Sequence, residues 1–430
     1  MTNPPVHVTS PASPWLRLVR ALPLLGPGIF CVGYTIGPGA VTKLAAAGAQ
    51  SGLQLLWAVL GGSLLFGVLL EAYGRYAIVA GTGALHGFRA HLPGGRWLAL
   101  LVLIGIVMGQ WSGLPVLVTL VSQLAYDGLA LLLPLPVARS QGAVVVVAAV
   151  LLAGVYGLIA AGRYSLLEKA MFLLVALMVG GFAGAMWLAW PGFSPIIRGL
   201  APSLPAGEGG IWPVVVVIGT AVAAPTFLLR ALWLKGRGWI GGNAREQKRD
   251  GVVAACVIFI VGATVMGCAA GALHASGVDL RDPFGAIQAL TFTAGRWAAG
   301  LFLVGVLGAG LSSIIPMAMI LPLLLADYRR EEPRLHTRWF RIWAAVACVV
   351  GLTGPVGEEW LLPLHRLASQ LAQVFVLPLA VAGIFVLLNR TDLMGTQRAG
   401  FWLNAGLLAA LVFSLLVAGQ GLTALTRRFG

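Results

Sequence analysis

The sequence predicts an all-α protein that crosses a membrane many times, and three observations carry that prediction. Of 430 residues, 59% are hydrophobic and 10% charged. The mean hydropathy is +0.92. The apolar residues are gathered into eleven runs long enough to cross a bilayer. A soluble domain carries about 25% charged residues, so this chain cannot cover a water-facing surface. Backbone groups in hydrocarbon must bond within their own segment, which selects helices of about 20 residues.

The runs lie near 22–50, 53–80, 98–124, 142–162, 166–190, 211–235, 250–276, 293–326, 338–356, 361–388 and 399–420. The first and sixth have unusual centres. The second holds Glu71 and Arg75. Prolines enter the third and tenth (Pro115, Pro378) and the eighth (Pro316, Pro322), where breaks are expected. Residues 1–20 are polar and proline-dotted without an apolar core, so no signal peptide is predicted. Cys31, Cys256, Cys268 and Cys348 sit in apolar runs without CxxC or Cys/His metal spacing, which excludes a disulfide scaffold.

Basic residues orient the bundle. With the N-terminus cytoplasmic, nineteen Lys and Arg fall inside, among them Arg17, Arg20, Arg75, Arg245, Lys248 and Arg338. Seven fall outside: Arg139, Arg198, Arg281, Arg296, Arg366, Arg427 and Arg428. The positive-inside rule selects this topology in a cell membrane. Trp57, Trp97, Trp190, Trp212, Trp339, Trp360 and Trp402 fall near span ends, as an interfacial belt requires. The formal charge of +14 is explained by short basic loops facing anionic headgroups, not by nucleic acid.

The first span reads Gly33-Tyr34-Thr35-Ile36-Gly37-Pro38-Gly39-Ala40-Val41-Thr42, and the sixth reads Gly219-Thr220-Ala221-Val222-Ala223-Ala224-Pro225-Thr226-Phe227. A mid-span proline removes a hydrogen-bond donor, and glycine adds backbone freedom. Paired interruptions at matching places in two halves point to an inverted-repeat transporter with a midplane site. Two kinked but continuous helices are the alternative.

These residues also carry a family resemblance. Gly26-Pro27, Ala47-Gly48-Ala49-Gln50, Leu55-Leu56-Trp57, Arg75 and Ile78-Val79-Ala80-Gly81 resemble the first two helices of the Nramp (natural resistance-associated macrophage protein) metal-ion transporters. Leu167-Glu168-Lys169, Gly310-Leu311-Ser312-Ser313, Ser369-Gln370, Leu377-Pro378 and Leu393-Met394-Gly395 continue it in order. The resemblance implies a LeuT-type fold: a tail over 1–21, spans one to five over 22–190, spans six to ten over 191–390, and an eleventh span over 391–430. It also implies secondary active transport of a divalent cation such as Mn²⁺, Fe²⁺ or Mg²⁺.

The departures concern the ligands. The family's first break is Asp-Pro-Gly-Asn, and its Asp and Asn positions are Gly37 and Ala40 here. Its second break is Met-Pro-His-Asn, which here reads Ala224, Pro225, Thr226, Phe227. The family's acidic relay in the third helix has no counterpart, Gln110, Ser112, Thr119, Ser122 and Gln123 being the polar residues there, with Asp127 near the outer end. The remaining donors are the carbonyls around Ile36 and Ala223, the Thr226 hydroxyl and the Gln370 amide, with Thr35 and Thr42 as further hydroxyls. All are neutral, and an unpaired buried charge is costly. Either the ion keeps most of its water, as Mg²⁺ often does, or the cargo is a polar or anionic solute.

Ionisable residues inside spans are functional candidates. Lys43 either meets an anion or snorkels to the outer interface. Glu71 either pairs with Arg75 at i,i+4 or couples transport to protons. Arg230 either pairs with Glu71 across the bundle or lines the inner vestibule. Gln370 either coordinates cargo or makes an interhelical hydrogen bond, and Ser312 and Ser313 are expected to let helices pack closely. No P-loop, HExxH, nucleophile elbow or paired catalytic carboxylates occur, so neither an enzyme nor a cofactor is expected. A non-transporting sensor is a third reading. The expected partners are the lipid bilayer and a divalent ion or small polar solute.

Overall fold

The computed structural model describes residues 26–132, 140–205, 210–274, 283–357 and 359–429. The predicted tail over 1–21, with Arg17 and Arg20, and the outer Arg139 and Arg281 lie outside these residues. Among them the regular structure is helical. The elements are α1 (Gly28–Thr35), α2 (Pro38–Ser51), α3 (Leu56–Ala80), α4 (Ala84–His91), α5 (Gly95–Leu132), α6 (Gln141–Ala160), α7 (Tyr164–Leu188) and α8 (Phe193–Gly199). They continue with α9 (Trp212–Gly219), α10 (Ala224–Leu228), α11 (Arg230–Gly236), α12 (Ala244–Leu273), α13 (Pro283–Arg329), α14 (Arg338–Val356), α15 (Leu361–Gln373), α16 (Val376–Asn389), α17 (Thr391–Met394) and α18 (Phe401–Phe429).

Among the described residues, eight helices are long and apolar enough to cross a membrane, and three bent helix pairs raise the number to eleven. The first span is α1 and α2, bent by 61°; the sixth, α9 to α11, bends by 56° before Arg230. The tenth is built from α15 and α16, with Pro378 in the first turn of α16, which then bends by 67° into the short segment ending at Gln397.

Proline proves less disruptive than expected in two places. α5 runs through Pro115, and α13 runs through Pro316 and Pro322. A proline deletes one donor, and the neighbouring turns hold the helix; at Pro115 the carbonyl itself accepts from the Thr119 hydroxyl at 2.9 Å. The interruption in α13 falls instead at Gly295, whose φ of 85° lies in the left-handed region.

Small residues set how closely the spans approach. Spans five and eight (α7 and α13) meet backbone to backbone: a Cβ on Gly181 would lie 2.6 Å from the Leu301 carbonyl oxygen. Ser312 and Ser313 share this role, both hydroxyls donating to the Gly33 carbonyl of α1 at 2.9 and 3.0 Å.

Among the described residues, Arg230, Asp250 and Asp327 are the buried charged side chains. Arg230 and Asp250, both fully buried, pair at 2.7 Å. The Asp250 carboxylate also accepts from the backbone amides of Gly26 at 2.8 Å and Gly28 at 2.9 Å, at the start of α1. One carboxylate thus joins the foot of span one, the lower part of span six and the start of span seven. Arg230 does not pair with Glu71: α11 carries it towards α12, and Asp250 takes that place. Glu71 instead pairs with Arg75 one turn on, at 2.7 Å. A second buried carboxylate, Asp327 at the end of α13, accepts from the Leu85 amide at 3.0 Å and so holds the first turn of α4. Outside the spans, Arg390 donates to Asp392 and holds its carboxyl below the usual carboxylate range.

The Arg230–Asp250 pair gives a direct expectation. Asp250→Asn leaves the guanidinium buried without its counter-charge and costs about 3–5 kcal/mol. Thermal unfolding of the purified protein should show a large drop for this variant and a smaller one for Arg230→Met/Asp250→Asn. Equal melting of Asp250→Asn and wild type would refute the assignment.

Candidate functional site

The site is built from two gaps in otherwise continuous helices. α1 stops at Thr35, and Gly37 is extended (φ −90°, ψ 172°) because Pro38 disfavours helical backbone before it. Pro38 then opens α2, where a missing donor costs nothing. In span six, α9 stops at Gly219, Ala223 is extended (φ −121°, ψ 114°), and Pro225 stands in the first turn of α10. The two kinked spans of the alternative reading are therefore true interruptions.

Each gap releases backbone groups that an α-helix would pair. Among the described residues, no backbone amide donates to the carbonyls of Ile36, Thr220, Ala221 or Val222, whereas the Ala223 carbonyl accepts from the Thr226 amide at 3.1 Å. The expectation of freed carbonyls is met at Ile36. In span six they lie just before Ala223 rather than at it, because the first turn of α10 recovers that oxygen. Helix C-termini at Thr35 and Gly219 present partial negative charge to the gaps, and the starts of α2 and α10 present partial positive charge.

Side chains then draw the gaps together. Thr35 Oγ1 lies 3.1 Å from Thr226 Oγ1, with both residues buried. The Tyr34 hydroxyl donates to Gln110 Oε1 at 2.9 Å, tying span one to span three. The Ser369 hydroxyl donates to the Gly109 carbonyl at 2.9 Å, tying span ten to span three. The end of α1 is thus held by the Gln110 amide of span three and by hydroxyls from spans six and eight, and every group in this set is neutral.

Gly37 and Ala40 line the open side of the first gap as half-buried positions, while Ala224 is buried. A Cβ at Gly37 would approach Ser313 Oγ to 3.2 Å. Phe227 is turned away into span two, its ring 5.6 Å from Phe66 and 6.1 Å from Tyr73. The Thr42 hydroxyl donates to the Pro38 carbonyl at 2.9 Å, which leaves its oxygen lone pairs as acceptors. Gln370 lies on α15, and its side chain is outside the described residues. Glu71 and Arg230 are not part of this constellation; they are held in the ion pairs already described.

Accessibility differs sharply between the two halves of span one. Every residue of α1 is buried. On α2, Gly39, Lys43 and Gln50 are exposed and follow one another at helical spacing. The exposed positions of span one therefore lie on the α2 side of the gap, while the α1 side is packed and closed by the Arg230–Asp250 pair. Among the described residues, no group of three His, Cys, Asp or Glu side chains is placed to hold a metal ion.

Asp250 is the residue whose role the sequence reading missed. A carboxylate at the polar start of a span looks like an interfacial residue, and the only available signal was the solitary Arg230, which needed a counter-charge somewhere.

In comparison with known proteins, residues 28–424 match the family described as natural resistance-associated macrophage protein-like (Nramp). The divalent metal cation transporter MntH of Burkholderia ambifaria is 25% identical over 399 residues, 88% of this chain and 83% of that protein. The MntH of Klebsiella pneumoniae strain 342 is 25% identical over 414 residues, 92% of each chain. Among solved structures, an Eremococcus coleocola manganese transporter mutant superposes with a TM-score of 0.73 at 18% identity, covering 96% of this chain and 87% of that one. MhsT in complex with L-phenylalanine gives 0.64 at 16% identity, covering 93% of this chain and 98% of that one. These superpositions show a LeuT-type fold.

The asymmetry along span one can be measured. In a background with Cys256 replaced by Ala, Lys43→Cys should react with a membrane-impermeant maleimide within minutes, and Thr35→Cys at least tenfold more slowly. Equal protection of the two in folded protein would contradict an open α2 face.

Proposed function

The chain belongs to the natural resistance-associated macrophage protein-like family, and from that membership we propose that it is a secondary active transporter of divalent metal cations. Its two repeats are spans one to five, within 22–190, and six to ten, within 191–390, with the eleventh span over 391–430. The N-terminus faces the cytoplasm in the cell membrane, on the strength of the basic loops. Alternating access proceeds by rocking of the broken helices about the midplane site.

The observation that carries this reading is the pair of gaps bridged by Thr35 and Thr226, 3.1 Å apart. Unpaired carbonyl oxygens and hydroxyls are hard ligands that suit Mg²⁺ or Mn²⁺ bound through part of their water shell. The missing carboxylate at Gly37 and the missing sulfur at Ala224 argue against full dehydration. Ile36, Gly37, Ala40, Ala223, Ala224, Thr226 and Gln370 would surround the hydrated ion. Glu71 would supply the protonatable group for coupling.

A second reading has one specific observation in its favour. Lys43 stands exposed on the open face that leads to the gaps, where a cation discourages a metal ion and attracts an anionic or zwitterionic solute. The same fold binds a zwitterion in the structural neighbour MhsT, which is in complex with L-phenylalanine.

Uptake into proteoliposomes, with Mn²⁺ or Mg²⁺ and with or without a pH gradient, separates the two. The metal reading requires saturable uptake that falls at least fivefold in Thr226→Val and in Gln370→Leu while both variants keep their melting temperatures. Either metal at 100 times its Kd should also stabilise the fold by about 2.7 kcal/mol. No metal uptake by folded protein, together with stabilisation by an organic anion, would transfer the assignment to the second reading.

A further inference from the structure

Apart from the gaps of spans one and six, two adjoining cavities lie on the lateral surface of the bundle between spans two, seven and eleven. The first, about 760 Å³, is an apolar groove with Leu64 and Val68 of α3, Val252 and Phe259 of α12 and Trp402 of α18 in its lining. The second, about 590 Å³, is lined by Arg245, Lys248 and Gln247 of α12 with Gln397 and the loop at Gly241 and Gly242. Glu71, Arg75 and Lys248 line both, so the apolar groove ends in the polar cavity.

From this geometry we infer that the two cavities form a binding site for one anionic phospholipid, its acyl chain in the groove and its phosphate in the polar cavity. The groove has the right length. From Lys248 to Ile260 along α12 is about 18 Å by helix rise, close to half of a hydrocarbon core of about 30 Å. Its floor is shallow because Gly67, Gly251 and Ala255 keep α3 and α12 close, a Cβ on Gly67 lying 3.2 Å from that of Ala255. Trp402, 84% exposed, stands at the groove where an interfacial ring packs beside a lipid headgroup.

Charge selects the headgroup. Glu71 is engaged by Arg75, whose Nη2 and Nε donate to Glu71 Oε1 at 2.7 and 3.0 Å. Arg245 and Lys248 are one helical turn apart on α12, and both are exposed. The cavity head therefore carries three cations against one carboxylate, a balance that favours a phosphate without a compensating ammonium. A zwitterionic headgroup would bring its own cation into this cluster. Neither Arg245 nor Lys248 belongs to the transport site.

Native mass spectrometry of the full chain tests the site by competition between phosphatidylglycerol and phosphatidylcholine of identical acyl chains. Wild-type protein should retain phosphatidylglycerol at least tenfold in preference. Arg245→Gln/Lys248→Gln should lose that preference while eluting as folded protein, and Arg245→Lys/Lys248→Arg should keep it. Ala255→Leu, which fills the groove floor, should weaken retention of both lipids. Glycerol 3-phosphate, which has the phosphate without the chains, should not displace the lipid at millimolar concentration. Preference for phosphatidylcholine, undiminished selectivity in the double Gln variant, displacement by glycerol 3-phosphate, or a dimer that buries the groove would each overturn the proposal.

Discussion

In a hydrocarbon environment a backbone amide or carbonyl without a partner costs several kcal/mol, and the architecture of this protein depends on where that cost is incurred. Most spans avoid it by running as unbroken helices, even through Pro115, Pro316 and Pro322. Spans one and six do not. Their gaps at Ile36–Gly37 and Thr220–Ala223 leave carbonyls without backbone partners, and neighbouring hydroxyls steady the helix ends around them. The interruption and the binding capacity are one feature, since only a broken helix presents backbone oxygens inside a membrane.

Holding two broken spans in place requires stronger anchors than neutral hydrogen bonds. The fully buried Arg230–Asp250 pair supplies one, and its value lies in connectivity. Asp250 accepts from the amides of Gly26 and Gly28 while it pairs with Arg230, so a single carboxylate joins three spans below the site. The upper half of span one is held differently, with Gly48 of α2 packed backbone-close against Met266 of α12 while Lys43 stays exposed. A buried ion pair is weak evidence for net stability but good evidence for specificity of arrangement, because breaking it strands a charge.

The site unites a family backbone with an atypical set of side chains. Small or neutral residues at Gly37, Ala40, Ala224 and Thr226 widen the space around the gaps and remove fixed negative charge. Such a site favours a partner that brings its own hydration or its own counter-charge. The lipid-facing groove by Arg245 and Lys248 follows the opposite logic: there a fixed positive cluster at the end of an apolar track defines the ligand.

Sequence alone determined the spans and the family and marked where spans one and six could break. Each of these is a local property: run length fixes a span, Gly-Pro-Gly and Ala-Pro mark a weak point, and ordered short motifs fix the lineage, whereas the extended backbone at Gly37 and Ala223 that makes each weak point a true gap was decided in the fold. It also found the Glu71–Arg75 pair, because i,i+4 spacing on one helix is visible in one dimension. Tertiary structure decided the rest. Arg230 meets Asp250 rather than Glu71 because the bend before α11 turns its side chain towards span seven, and no spacing rule encodes a bend between helices. Thr35 meets Thr226 across 191 residues, and Ser312 and Ser313 close on Gly33 across about 280, because glycine-lined helices approach closely enough for short hydroxyls to reach. Long-range pairing depends on the angle and depth at which helices cross, which the whole bundle sets and no single segment contains.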